Sequence, residues 1–163
     1  MRRLAGYGEI DISNLKGDYD CVIMVENHSV HLDVNFEKER ISEQELLEVT
    51  NFIENVEKHH LKNLRYIQEN FEQGASMSSE YIQFYIEELE PDELDSLVNT
   101  KSQVKTENQL LEKLTLKRIG VYPEASYYAN FDYTIYIHGE PCNQLLVVNS
   151  NQDGTLHDIT WES

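Results

Sequence analysis

Positive charge is scarce in this chain. Its 163 residues include 13 Lys and Arg against 30 Asp and Glu, a formal net charge of −17. Proteins grip DNA and RNA largely by neutralising phosphates with Lys and Arg, so the composition argues against nucleic-acid binding and against adhesion to an anionic membrane. Cysteine is nearly absent too. Cys21 and Cys142 write no disulfide framework and no CxxC metal anchor. Both are expected to be reduced, strand-borne thiols in a cytoplasmic protein. No apolar run approaches the roughly 20 residues of a membrane span. After Arg2 and Arg3 come Gly6, Gly8, Glu9 and Asp11, not the apolar stretch of about 7–15 residues that a secretory signal needs. There is no GxSxG, no Gly-rich phosphate loop and no HExxH. No cofactor is called for.

What is present is enough for a core. Hydrophobic residues make up 40% of the chain, with five Phe, ten Tyr and one Trp, and a single domain over residues 1–163 is expected. The acid is concentrated in the middle. Residues 1–36 sum to −3, residues 37–113 to −10 and residues 114–163 to −4. The peak is "EELEPDELD", residues 87–95, where six of nine side chains are carboxylates.

Hydrophobic periodicity divides the chain in three. Up to residue 36 it reads as strand. "CVIMVE" (21–26) is an apolar run, Asn27-His28 a turn, and Val30, Leu32, Val34 and Phe36 alternate with Ser29, His31, Asp33 and Asn35. Residues 4–12 are read as an added edge strand. Ser42 opens a helix with the capping-box form "SEQE". An apolar stripe then runs Leu46, Val49, Ile53, Val56, His60, Leu64, Ile67, Phe71. One helix of that length would span about 45 Å at 1.5 Å per residue, so a break is expected between Asn55 and His60. "GASMSS" (74–79) reads as a loop and "YIQFYIEEL" (81–89) as a helix with Tyr81, Ile82, Tyr85, Ile86 and Leu89 on its buried side, ended by Pro91. "DELDSLV" reads as a further helical turn, and "NQLLEKL" as a short helix leading back to the sheet. From residue 114 strands return: "LTLKRIGVYP" with a bulge near Arg118-Ile119, "FDYTIYIH" (131–138), a buried "LLVV" (145–148) and "TLHDITW" (155–161). The fold class is α+β: a mainly antiparallel sheet built from N- and C-terminal β-meanders, with the helices of about 42–113 on one face.

Candidate chemistry is sparse. Glu87, Glu88, Glu90, Asp92, Glu93 and Asp95 form a patch suited to a basic protein surface, with Tyr81 and Tyr85 as aromatic anchors beside it. "NSNQDG" has Asn149, Asn151 and Asp153 in calcium-loop spacing, but Thr160 stands where a bidentate Glu belongs, and a hairpin turn accounts for the segment. His59 and His60 point about 100° apart on a helix and do not chelate together. A metal-dependent enzyme would draw on His31, Asp33, Asp132 or His138. A homo-oligomeric structural module would join through the tyrosine-rich strand or the His60 helix face. A nucleic-acid mimic would need its carboxylates spaced along one surface.

"LTLKRIGVYPE", "FDYTI", "QLLVVN" and "DGTLHDITWES", with "LKNLRYIQENFEQG" and "YIQFYIEEL" before them, resemble a small acidic bacterial family catalogued only as a domain of unknown function. The resemblance implies an α+β cytosolic protein with no assigned activity and supplies no catalytic residue. Similar small acidic domains occur among immunity proteins that neutralise secreted toxins. The expected function is a non-enzymatic, cytoplasmic protein-binding module, in its sharpest form an immunity-like inhibitor that covers a basic toxin.

Overall fold

A computed structural model describes every residue, Met1–Ser163. It contains five helices and a six-stranded sheet, with two small two-stranded sheets. The six strands are β3 (Asp18–Val25), β4 (His28–Asn35), β5 (Thr115–Val121), β6 (Ala129–Thr134), β9 (Leu145–Ser150) and β10 (Leu156–Glu162), and they lie side by side in chain order. Four of the five ladders are antiparallel; β4–β5 is parallel. A parallel neighbour requires a crossover. Here α1 (Glu43–Glu54), α2 (Val56–Glu72), α3 (Met77–Glu88), α4 (Pro91–Leu97) and α5 (Thr106–Glu112) supply it. The architecture is α+β, mostly antiparallel.

Alternation decides which side of the sheet is buried. Val30, Leu32 and Val34 of β4 point inward, as do Ile119, Phe131, Tyr133, Leu146 and Val148 from the neighbouring strands, all within the hydrophobic core. The helices pack on that face. Phe52 of α1 lies against Phe131, His60 of α2 stacks on Tyr133, and Tyr81 and Phe84 of α3 meet Trp161 edge-on.

The break in the long apolar stripe falls at Asn55. Its side chain donates to the Asn51 carbonyl at 2.7 Å, and its backbone N–H reaches Phe52 three residues back. A side chain competing for backbone partners tightens the turn and re-aims the helix. Ser42 and Glu45 form the capping box of α1 in both directions.

Several boundaries differ from the sequence reading. Residues 4–12 do not join the main sheet. β1 (Arg2–Leu4) and β2 (Gly8–Ile10) form a separate hairpin whose Leu4 and Ile10 reach the core. The β3–β4 turn is Glu26-Asn27, both with positive φ, the two-residue geometry that matches strand twist. "FDYTIYIH" is two strands. β6 ends at Thr134, and β7 (Tyr136–Ile137) pairs with β8 (Glu140–Pro141) in its own hairpin. The β5 register slips at Lys117, between Leu116 and Arg118. Helix α3 starts at Met77 because Ser76 caps it, so half of the expected loop is helix. Cys21 lies on β3, whereas Cys142 follows β8 in a connection; neither is in a disulfide.

Candidate functional site

Four places collect polar side chains, and the acidic ridge is the most prominent. Glu87 and Glu88 end α3, Glu90 lies in the link, and Asp92, Glu93 and Asp95 belong to α4. All are exposed except Glu93, which is half-buried. Glu93 and Glu90 complete a capping box for α4, and the Glu93 carboxylate accepts the Glu90 N–H at 3.1 Å. No Lys or Arg lies within 4.0 Å of any of the six carboxylates. Across the chain, Asp33, Glu43, Glu45 and Asp132 are the acids that pair with Lys or Arg. The ridge is unfavourable for its own helix. A helix C-terminus carries partial negative charge and favours cations, yet the last turn of α3 contains Glu87 and Glu88 and no basic residue.

The aromatic anchors expected beside this ridge point the other way. Tyr81 and Tyr85 are 0% and 2% exposed. Helical spacing puts Tyr81, Ile82 and Tyr85 on the buried side of the helix, and they lie there; the expectation that fails is the one that made the two tyrosines anchors for a partner. The Tyr81 hydroxyl donates to the Gln144 carbonyl at 2.8 Å and lies 3.2 Å from the Tyr85 hydroxyl. Burial pushes the Tyr81 phenol up to about 12 and raises Tyr85 as well. They hold α3 to the sheet and leave no ring for a partner.

A second cluster spans the sheet face away from the helices. Arg118 of β5 donates to both carboxylate oxygens of Asp33 at 2.7 Å, to Asp132 at 3.1 Å, to Asn130 at 3.2 Å and to the Tyr122 hydroxyl at 2.7 Å. These bonds use all five guanidinium N–H groups. Gly120 makes room for this. A Cβ there would lie 2.5 Å from Asn130 Oδ1 and 2.8 Å from both Arg118 and Tyr122. Burial alone would lower the Arg118 pKa; the hydrogen bonds it donates to Asp33 and Tyr122 and the nearby carboxylates raise it instead. Burial raises the Asp132 carboxyl against the pull of Arg118. His31 Nε2 lies 3.1 Å from Asp20 and 3.8 Å from Asp33, and the three ligand atoms fall within 4.8 Å of one another. A cation bound there would share Asp33 with Arg118. Of the residues read as metal candidates, His31, Asp33 and Asp132 gather on this face. His138 lies apart in the β7–β8 turn, because the strand expected over 131–138 ends at Thr134 and the chain leaves the sheet.

The third place is a cleft of about 340 Å³ where the α1–α2 break meets the β9–β10 turn. Lys58, Lys62, Glu48 and Asp153 line it, both signs equally, above Phe52 and His59. The His59 ring stacks on Phe52 at 4.6 Å. Its Nδ1 is buried without a partner against Gly154, where a Cβ would approach to 2.4 Å. Asp153 is occupied by the Thr155 N–H and hydroxyl, so "NSNQDG" is a hairpin turn. The fourth is internal. His60 Nδ1 lies 2.8 Å from the Tyr133 hydroxyl and its Nε2 lies 3.3 Å from Glu26. Asn63, fully buried beside them, has neither amide atom partnered.

None of these arrangements presents an activated nucleophile. Burial, then Asp20 and Asp33, raise the Cys21 thiol above its ordinary value and keep it protonated. Tyr133 is wholly enclosed. No helix is long and apolar enough to cross a membrane. Sequence reading missed the Arg118 hub, since Asp33, Arg118 and Asp132 lie on three strands and only the ladder registers bring them together. No protein-family model, no curated protein and no solved structure matches this chain.

Proposed function

We propose that this protein is a non-enzymatic binding module for a basic protein, in the manner of an immunity protein that covers a cationic toxin. The observation that supports it is the unpaired carboxylate ridge Glu87, Glu88, Glu90, Asp92 and Asp95, raised on a helix end whose stability would be better served by Lys. The net charge of −17 draws a basic partner from all sides. Glu93 contributes to the field while holding its cap; Tyr81 and Tyr85 act from behind as supports for α3. Rim carboxylates act mainly on association rate and salt dependence. The test is quantitative capture from extracts of the native cells at low and high salt. The bait is the intact protein or a variant with Glu87→Gln, Glu88→Gln, Glu90→Gln, Asp92→Asn and Asp95→Asn. A stoichiometric basic protein that leaves at high salt and associates at least about tenfold more slowly with the variant supports the reading. Clean bait at both salts, or an unchanged association rate at low salt, overturns it.

The Asp20–His31–Asp33 cluster favours a second reading, a metal-dependent enzyme. Protein purified without chelator would then carry stoichiometric divalent metal, and a metal-free preparation that gains no thermal stability from added zinc or manganese removes this reading.

A further inference from the structure

β3 is an end strand of the sheet, with a neighbour on one side alone. Its eight residues pair with β4 in unbroken register from Asp18↔Asn35 to Val25↔His28. Outside that ladder none of its backbone N–H or C=O groups has a hydrogen-bond partner. Soluble proteins ordinarily blunt such an edge with Lys, Pro, a bulge or a short strand. "DYDCVIMV" has no Lys, no Pro and no bulge, and its only charges, Asp18 and Asp20, lie in its first half, so the Cys21–Val25 stretch of the edge carries none. Val22 and Met24 are 64% and 63% exposed, more than any other large apolar side chain except Met1. The opposite edge is protected: the β10 register slips between Leu156 and Asp158, and α2 and α3 pack against that strand. Asp18 and Asp20 continue the Val22–Met24 row on the outer face, and Glu26 follows in the turn.

We propose that β3 is a docking edge for an extended segment of a basic protein, which joins the sheet as a seventh strand. Main-chain hydrogen bonds to β3 hold the segment, apolar side chains cover Val22 and Met24, and Lys or Arg face Asp18 and Asp20. The inference rests on the reading above that the partner is basic. Charge also argues against a second copy as the occupant. Antiparallel self-pairing centred on Val22 places Asp20 opposite Met24 and Asp18 opposite Glu26, and it joins two chains of −17 each.

The test uses the full chain and a synthetic peptide about ten residues long that carries Val at two successive positions of one strand face, Lys at the next two positions of the same face, and Thr between them. A matched peptide is N-methylated at alternate backbone positions so that one edge cannot donate. Binding is titrated, and amide hydrogen exchange is read residue by residue. Saturable binding that slows exchange at alternate β3 amides, and that weakens at least about tenfold both for the N-methylated peptide and for the Val22→Ser/Met24→Ser variant, is the expected result. Both substitutions are at exposed positions and leave the core intact. Equal binding of the two peptides, or no added protection on β3, overturns the proposal. If the peptide instead maps to α3 and α4, the edge proposal falls and the acidic-ridge reading stands. Failure of the ridge reading shows separately, in the extract experiment. Concentration-dependent dimerisation that the serine variant abolishes would give the edge to a second copy and also overturn it.

Discussion

Loss of Arg118 should be costly to the sheet. Its guanidinium lies between Asp33 and Asp132, each 6% exposed, and no other Lys or Arg pairs with them. Arg118→Ala leaves two buried carboxylates side by side and should destabilise the fold by about 3 kcal/mol or more, read as a lower urea midpoint with an unchanged slope. Adding Asp33→Asn and Asp132→Asn should recover part of the loss, because the stranded charge is the larger cost. Gly120→Ala attacks the same hub by volume and should cost about 1–3 kcal/mol. The two buried imidazoles make the fold acid-sensitive. Burial lowers both His59 and His60 from 6.5. Lys62 and Lys58 reinforce the shift at His59 against Asp153; at His60, His28 reinforces it while Glu26 and Glu57 oppose it. The folded state therefore binds fewer protons than the unfolded chain below about pH 6.5. Stability is fully present above that pH and falls as pH drops toward the folded pKa values. His60→Gln should flatten the dependence of urea midpoint on pH between about 7 and 5, even where it lowers the midpoint at neutral pH.

At the scale of elements, the acids at helix ends oppose local stability. Glu87→Lys and Glu88→Lys should raise stability by about half a kcal/mol each through the helix dipole while slowing capture of a basic partner. A variant that gains stability and keeps its association rate would argue that the ridge is solvation alone. Much at this scale was legible in the sequence. Ser42 and Glu45 announced the start of α1, the 3–4 stripe from Leu46 to Phe71 gave the buried face of two helices, and Val30–Phe36 gave β4 and its orientation. The misreadings share a cause: a short pattern does not reveal its tertiary partner. Tyr81 and Tyr85 have the spacing of the buried helix side, yet the acidic run beside them invites a second reading as anchors; the contacts of Tyr81 with Trp161 and Gln144, and of Tyr85 with Tyr81 and Phe84, decide for the core. Ile135 continues the β6 alternation, yet the strand stops at Thr134, whose hydroxyl bonds to the Cys142 and Gln144 carbonyls. The Arg118 hub left no local trace, because its members are neighbours across ladders and not along the chain.

For the molecule as a whole, 30 acids against 13 Lys and Arg make the native state self-repelling. Screening shortens from about 30 Å at 0.01 M salt to about 8 Å at 0.15 M. The melting temperature should therefore rise with sodium chloride over that range, by several degrees for a domain of this size, while affinity for a basic partner falls. A flat salt response would mean that the carboxylates are too dispersed to feel one another.

The single parallel ladder also has a consequence in time. β3–β4 closes through a two-residue turn, and β5, β6, β9 and β10 come in that order with only the short β7–β8 hairpin between β6 and β9, so both halves of the sheet assemble from nearby contacts. The β4–β5 seam must instead wait for residues 36–114 to be gathered in, a closure entropy of about 4 kcal/mol. The seam should be the last ladder to form on refolding. In pulse-labelled exchange, the amides of Arg118–Val121 that face β4 should gain protection after those of the β3–β4 hairpin, and a helical segment tethered early by a crosslink should speed the slow phase.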